Sequence, residues 1–171
     1  MLPIVQAPAP PLQFRILGAT DLWRHALADV RSAKTSITLA SMVYDNPKLQ
    51  KALLAARAKG VAVKLLVDKM KLKARSAPMS HGRLKVLKKH DVKIWLCTGK
   101  PYKATFGVAG HPGVYHCKGI VVDGAISYIG GGNLTDGSEV NGELWVRAIG
   151  AEAARGTEAT IWSEASEAVP F

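Results

Sequence analysis

The residues whose types and spacing could do chemistry lie between positions 115 and 133. His116 and Lys118 are two residues apart, so in an extended strand their side chains would share one face. Asp123-Gly124 is a two-residue hairpin signal between two apolar runs, and three glycines and Asn133 follow the second run. A glycine run exposes backbone N–H groups to an anion, and an amide can donate to it. The stretch therefore predicts a phosphate site in which the His116 imidazole is free to attack.

This stretch resembles the HKD motif of the phospholipase D superfamily. The matching residues, with every spacing kept, are His116, Lys118, Asp123, Gly130, Gly131 and Asn133. So many placed residues in so short a stretch make a specific signal, and a purely structural hairpin has no need of them. Many members of the family carry Ser or Thr where this chain has Gly131, so a hydroxyl donor to phosphate is missing. We expect a backbone N–H there to replace it.

The resemblance implies a role for each group. His116 would form a phosphohistidine intermediate, while Lys118, Asn133 and the amides of Gly130, Gly131 and Gly132 would bind the nonbridging phosphate oxygens. Asp123 would fix the hairpin rather than react. Glu143 stands where a glutamate of the family supports the catalytic histidine. The chemistry needs no metal and no cofactor, and the sequence has neither clustered carboxylates nor Cys/His ligand spacing.

The chain holds only one full motif, although a double displacement needs both a nucleophile and an acid for the leaving oxygen. The other four histidines lack a lysine two residues on. We therefore expect a two-fold homodimer in which the two copies of His116 meet at a shared site, as in single-motif members of the family.

The elements expected around the motif form an α/β domain, and the resemblance implies a mixed β-sheet flanked by helices on both faces. Strands are predicted at 14–17, 36–44, 61–67, 92–97, 119–122, 125–129 and 141–149, and helices at 20–32, 47–59, 80–90 and 151–168. Residues 36–67 read as a βαβ unit with a parallel strand pair. Residues 1–12 hold four prolines and read as an arm or linker, and 13–171 as one phospholipase D-like catalytic domain.

Two further segments are expected to be loops. Residues 69–79 are basic, and residues 98–114 contain four glycines and two prolines. Lys100, Lys103 and His111 lie on the second loop, either as phosphate contacts or as part of a solvated surface.

Composition favours a polyanionic partner. The 171 residues include 23 Lys and Arg against 13 Asp and Glu, a net charge of +10. Two cysteines fit a reducing compartment, and Cys117 inside the motif argues against a disulfide. The sequence shows no signal peptide and no membrane span, so we expect a cytoplasmic protein.

Three functions fit these observations. The favoured one is a non-specific endonuclease for DNA or RNA, because short single-motif members of the superfamily are commonly nucleases and the positive charge suits phosphates. The second is a phospholipase D or cardiolipin hydrolase acting on anionic lipid at a membrane surface. The third is a nucleic-acid-binding module whose catalysis is impaired at Gly131.

Overall fold

A mixed β-sheet forms the centre of the protein, with its most apolar strands in the middle. The computed structural model describes residues 11–73, 78–102 and 111–171. Within this part the strands are β1 (Gln13–Gly18), β2 (Ser36–Ser41), β3 (Ala62–Asp68), β4 (Lys93–Tyr102), β5 (His111–Gly113), β6 (Gly119–Val122), β7 (Ile126–Gly130), β8 (Leu144–Ile149) and β9 (Ser166–Pro170). The helices are α1 (Ala19–Ser32), α2 (Pro47–Ala58), α3 (Lys69–Lys73), α4 (Pro78–Lys89) and α5 (Ala151–Ser163).

The strand order is β1-β8-β7-β6-β2-β3-β4-β5, and β9 pairs with β4. Strands β2, β3 and β4 are parallel, whereas β6, β7, β8 and β1 join them through antiparallel pairs. The parallel β2–β3 pair around α2 confirms the predicted βαβ unit. The carboxyl ends of the three parallel strands therefore meet at one edge of the sheet, where α/β proteins commonly bind ligands.

Helices cover both faces of the sheet, as predicted. Helices α1, α2 and α4 pack on one face, and their buried residues belong to the larger apolar core. Helix α5 covers the other face with Ala154 and Ile161, which pack in a smaller core with Tyr115 and Cys97. Helix α1, predicted at 20–32, buries an apolar stripe of five residues at helical spacing: Leu22, Trp23, Ala26, Leu27 and Val30.

Local signals explain where the helices begin and end. The side chain of Asn46 accepts the backbone N–H of Leu49 at 2.8 Å, and Pro47 occupies the first turn of α2. Gly60 follows with a φ of +88°, a conformation that glycine adopts without strain. Helix α1 begins at Ala19 after Gly18, one residue before its predicted start, and has no side-chain cap.

Several predicted bounds need correction. Strand β2 ends at Ser41 rather than at position 44. The basic segment expected to be a loop contains α3, and the loop expected at 98–114 is partly strand because β4 extends to Tyr102 and pairs with β5. The closing helix ends at Ser163, and β9 then pairs with β4. The misses at β5 and β9 share a cause, since strand pairing along β4 depends on residues distant in sequence.

Candidate active site

The segment that carries His116 and Lys118 lies just before β6, at the carboxyl edge of the parallel strands. Neither residue lies in a strand, because regular pairing begins at Gly119, opposite Ala40 and Ile129, where the strand at 119–122 was predicted to begin. The side chains of residues 115–117 still point alternately into the core and out to solvent. Tyr115 and Cys117 pack into the smaller core, whereas His116 is exposed to solvent.

The hairpin after this segment is formed much as predicted, with Asp123 and Gly124 both at positive φ. The turn is one residue longer than expected, since Val122 pairs with Ile126. The Asp123 carboxylate accepts the backbone N–H groups of residues 34–36 at 2.8 to 3.2 Å. Burial acts to raise the pKa of Asp123, but these backbone donors outweigh it and hold the pKa below its usual value. Asp123 thus joins the far end of the hairpin to the start of β2.

The three glycines at the end of β7 have different surroundings. A Cβ at Gly130 would lie 2.2 Å from the Trp145 ring, and one at Gly132 would lie 2.6 Å from the Glu143 carboxyl carbon. Gly131 has space, since its Cβ would lie 3.7 Å from the nearest Glu143 oxygen. The Gly131 N–H is directed at the carbonyl of Leu144 at 3.4 Å, so it does not replace the missing hydroxyl as we expected.

Asn133 is oriented by the backbone after β2. Its side-chain oxygen accepts the N–H of Val43 at 3.3 Å, and the next residue, Leu134, donates its N–H to the Ser41 hydroxyl at 2.9 Å. With its oxygen used in this way, the amide presents its NH₂ group as a donor. The end of β2 therefore holds Asn133 near the motif lysine, because Ala40 of β2 pairs with Gly119 beside Lys118.

Lys118 is a buried cation with an ammonium group that has no hydrogen-bond partner among the described residues. The residue is only 7% exposed. Burial lowers the pKa of Lys118, and the neighbouring side chains of Cys117 and Glu143 oppose this effect electrostatically. A buried ammonium without a partner is unfavourable, so such a group marks a place where an anion would be bound.

The environment of His116 favours its neutral form. Partial loss of hydration lowers the pKa of the imidazole, and the Lys118 charge lowers it further, while Asp68 raises it and Lys71 lowers it. A neutral imidazole has a lone pair for attack on phosphorus. Cys117, between the two motif residues, is a free thiol whose pKa is raised by burial, so it does not compete as a nucleophile.

Glu143 lies just before β8, with its carboxylate against the Gly132 backbone. Its charge acts on Lys118, but among the described residues no hydrogen bond joins Glu143 to His116. The carboxylate is thus placed to balance the motif lysine within one chain.

Of the lysines predicted on the loop, Lys100 lies in β4 and pairs with Glu164 at 2.6 Å. Lys103 lies outside the described residues, and His111 is in β5.

The sequence interpretation gave no site role to Asp68, at the end of β3. Its buried carboxylate accepts the backbone N–H of Tyr115 at 2.6 Å, directly beside His116. A polar residue at the end of a buried parallel strand was the signal that could have found it.

Two general properties concern ligands and membranes. In the part of the chain that the structure describes, no group of three or more His, Cys, Asp or Glu side chains is placed to hold a metal ion. Over the same residues, no helix has the length and apolar character needed to cross a lipid bilayer.

The fold and the placement of the motif define a phospholipase D-like phosphodiesterase fold. The family model described as cardiolipin synthase, PLD-like domain, matches residues 27–163, and the chain belongs to this family. Comparison with curated proteins gives no significant match.

Solved structures show the same fold at low sequence identity. NucT from Helicobacter pylori is 17% identical with a TM-score of 0.81, and the match covers 94% of this chain and 100% of NucT. The phospholipase D family member Nuc from Salmonella typhimurium is 19% identical with a TM-score of 0.74, covering 94% of this chain and 99% of that one. TrmBL2, an archaeal chromatin protein, is 14% identical with a TM-score of 0.56, covering 91% of this chain and 55% of that one.

Proposed function

We propose that this protein is a metal-independent phosphodiesterase that cleaves DNA or RNA as a non-specific endonuclease. The proposal rests on two neighbouring groups of the motif. The His116 imidazole is exposed and its pKa is lowered, and the buried Lys118 ammonium has no hydrogen-bond partner among the described residues. In a phosphodiester, the electrophilic phosphorus can be attacked by the imidazole, and an anionic oxygen can bind the ammonium.

The reaction has two displacements. His116 attacks phosphorus, forming a P–N bond as the bond to the leaving oxygen breaks, and His116 of the partner subunit gives its proton to that oxygen. Water, deprotonated by His116 of the partner subunit, then attacks the phosphohistidine and restores the free imidazole. Lys118 and the Asn133 NH₂ group stabilise the charge on the nonbridging oxygens during both steps.

The remaining residues of the site support these groups. Glu143 balances the Lys118 charge from its place against the Gly132 backbone. Asp123 holds the hairpin at its other end, about 16 Å from Lys118 at roughly 3.3 Å per strand residue, so its role is structural. Gly130, Gly132, Lys100 and Lys103 are proposed to contact the substrate backbone around the scissile phosphate, whereas the Gly131 N–H is directed at the Leu144 carbonyl instead.

A second copy of the chain is proposed to cover an apolar face of the sheet. Phe14, Ile16 and Leu144 are 69%, 67% and 68% exposed, and the strand register places them on one face with the half-exposed Ile129. This face adjoins a groove of about 440 Å³ between the sheet and α5, which reaches His116. Exposed apolar patches of this kind mark protein interfaces, and this one would bring two motif histidines together.

Nucleic acid is the proposed substrate because the net charge of +10 favours a polyphosphate backbone. The match to TrmBL2, described as binding DNA in a novel mode, supports nucleic acid as a ligand of this fold. That description fits a binding module as well as an enzyme, so cleavage has to be tested directly.

A lipid substrate is the second candidate, and the groove favours it. The groove is lined largely by apolar and small residues, and an acyl chain could enter it if no second copy covers it. A phosphatidylserine synthase from Haemophilus influenzae has a related fold, with 12% identity and a TM-score of 0.65. Release of headgroup from anionic vesicles, with nucleic acid left intact, would favour this candidate.

The test is incubation of the wild type and His116→Ala with labelled single- and double-stranded DNA and RNA in EDTA, with products resolved by size. We expect the wild type alone to cut. Cutting by folded His116→Ala would exclude His116 as the nucleophile. A salt-sensitive mobility shift without products would favour the binding module.

The dimer is tested separately by sedimentation of Ile16→Glu, with Val86→Glu as the matched control. Val86 is an exposed apolar residue on α4, on the other side of the sheet. We expect Ile16→Glu to be monomeric and inactive, and Val86→Glu to remain dimeric. An active wild-type monomer would refute the shared site.

A further inference from the structure

Asp68 is a fully buried carboxylate placed between two separate segments of the chain. One of its oxygens accepts the N–H of Tyr115 at 2.6 Å, and the other accepts the N–H of Lys71 in α3 at 2.7 Å. A buried carboxylate is unfavourable unless such donors satisfy it. The two bonds therefore fix the distance between α3 and the residue that precedes His116.

Strand pairing does not support the segment held in this way within the part of the chain that the structure describes. Residues 114–118 belong to no strand, so no ladder of backbone hydrogen bonds positions them. Besides the bond to Asp68, the Tyr115 side chain is buried and its hydroxyl donates to the carbonyl of Ile161 in α5 at 2.9 Å. Tyr115 is thus held at its backbone from the β3 side and at its side chain from the α5 side.

The geometry points to Asp68 as a positioning residue that sets the location of the His116 imidazole through the Tyr115 amide. The inference rests on the proposed function, in which His116 must attack phosphorus along a defined line. Asp68 has no contact with the substrate in this scheme. Its effect is on where the imidazole lies and on the charge that faces it.

The charged groups that face His116 are Lys118 from its own segment, Asp68 from β3 and Lys71 from α3. Asp68 is the single anion among these three. Replacing it with Asn removes that charge and turns an amide NH₂ toward one of the two N–H donors, so at least one bond is lost. The variant tests position and charge together while keeping the side-chain volume.

The experiment compares wild type, Asp68→Asn and Asp29→Asn. Asp29 is the matched control, a largely buried carboxylate on α1 that accepts from Arg147 at 2.8 Å, so its loss weakens the fold without contacting the His116 segment. In Asp68→Asn we expect kcat to fall about ten- to a hundred-fold with KM little changed, since a displacement near 1 Å has effects of that size. We also expect the acidic limb of the pH profile to move to lower pH, because the anion that raises the pKa of His116 is gone. Asp29→Asn should leave that limb in place.

Two NMR measurements decide the inference even if the wild type cleaves no phosphodiester. The Tyr115 amide should be protected from hydrogen exchange in the wild type although it lies outside any strand, and the His116 ring should titrate at lower pH in Asp68→Asn. Rapid exchange of the wild-type Tyr115 amide would overturn the inference, as would a folded Asp68→Asn protein with unchanged kcat and His116 titration. If Asp68→Asn does not fold, the wild-type exchange measurement decides alone.

Discussion

The three consecutive glycines give a graded test of the site, because alanine at each position meets a different obstacle. At Gly132 the new Cβ would lie 2.6 to 2.9 Å from the carboxylate atoms of Glu143. Ordinary contact begins near 3.4 Å, so the carboxylate has to move by roughly 0.5 to 0.8 Å. Because the obstacle is the end of a flexible side chain, the protein should still fold while Glu143 moves away from its place against the Gly132 backbone, where its charge acts on Lys118.

A displacement of this size predicts a measurable loss of rate. Misplacement by about 1 Å can reduce rates about a hundred-fold, so we expect kcat of Gly132→Ala to fall by roughly ten- to a hundred-fold. This corresponds to about 1.4 to 2.7 kcal/mol of transition-state stabilisation. The assay is phosphodiester cleavage under saturating substrate, with the free energy of unfolding measured in urea on the same preparation.

The neighbouring positions are the controls. Gly131→Ala places its Cβ at an ordinary contact distance of 3.7 Å, so kcat should change by much less than in Gly132→Ala. Gly130→Ala forces a Cβ to within 2.2 Å of the Trp145 ring, and overpacking of this kind should cost roughly 1–3 kcal/mol of folding stability. Full activity in folded Gly132→Ala, or an equal loss in Gly131→Ala, would refute the role given to Glu143.

Three further predictions concern charge. Lys118→Met should abolish cleavage yet raise the free energy of unfolding by about 1–2 kcal/mol, since it removes a buried ammonium with no partner in the described structure. The pKa of Lys118 is lower in the folded protein than in the unfolded chain. The free energy of unfolding of the wild type should therefore rise as pH increases from the lowered pKa to the ordinary lysine pKa. Urea unfolding of Lys118→Met should show no such increase. Asp123→Asn should lower the free energy of unfolding by about 1–2 kcal/mol at neutral pH. The folded-state pKa of Asp123 is lowered, so this difference should be present above the ordinary carboxyl pKa and shrink as pH falls through the lowered value; a difference independent of pH would contradict it. Lys71→Ala should raise the pKa of His116 and move the acidic limb of activity to higher pH, which a pH–rate profile checks.

Much of the fold could be predicted because its central strands and helices carry strong local patterns. The apolar runs of β2 and β3, the stripe of α1 and the Asn46-Pro47 start of α2 each indicate one structure without reference to the rest of the chain. The elements along β4 could not be predicted in this way. Strand β9, SEAVP, has only one large aliphatic residue, so its own sequence does not indicate a strand. It pairs with β4, which is distant in sequence but adjacent in the fold.

The features of the candidate site also fall into those that local sequence indicates and those that depend on strand pairing. His116, Lys118 and Asn133 could be predicted because phosphoryl chemistry requires particular functional groups at particular spacings. The length of the turn at Asp123 and the use of the Gly131 N–H could not. The first depends on how β6 pairs with β7, and the second on how β7 pairs with β8. One residue of register decides whether an amide points to a neighbouring carbonyl or to open solvent.

Asp68 shows why positioning residues are harder to find than reactive ones. A nucleophile is identified by its own chemistry, whereas Asp68 acts through the backbone N–H of Tyr115, a group that every residue except proline possesses. The sequence of the donor therefore carries no mark of the interaction, and only the burial of the acceptor does. In a parallel α/β sheet, a carboxylate that is buried at the carboxyl end of a strand has to find donors in the segments that cross that edge. In this protein the same segments carry the proposed catalytic groups, so a buried acid at this edge is a physical reason to look for a positioning role before any motif is considered.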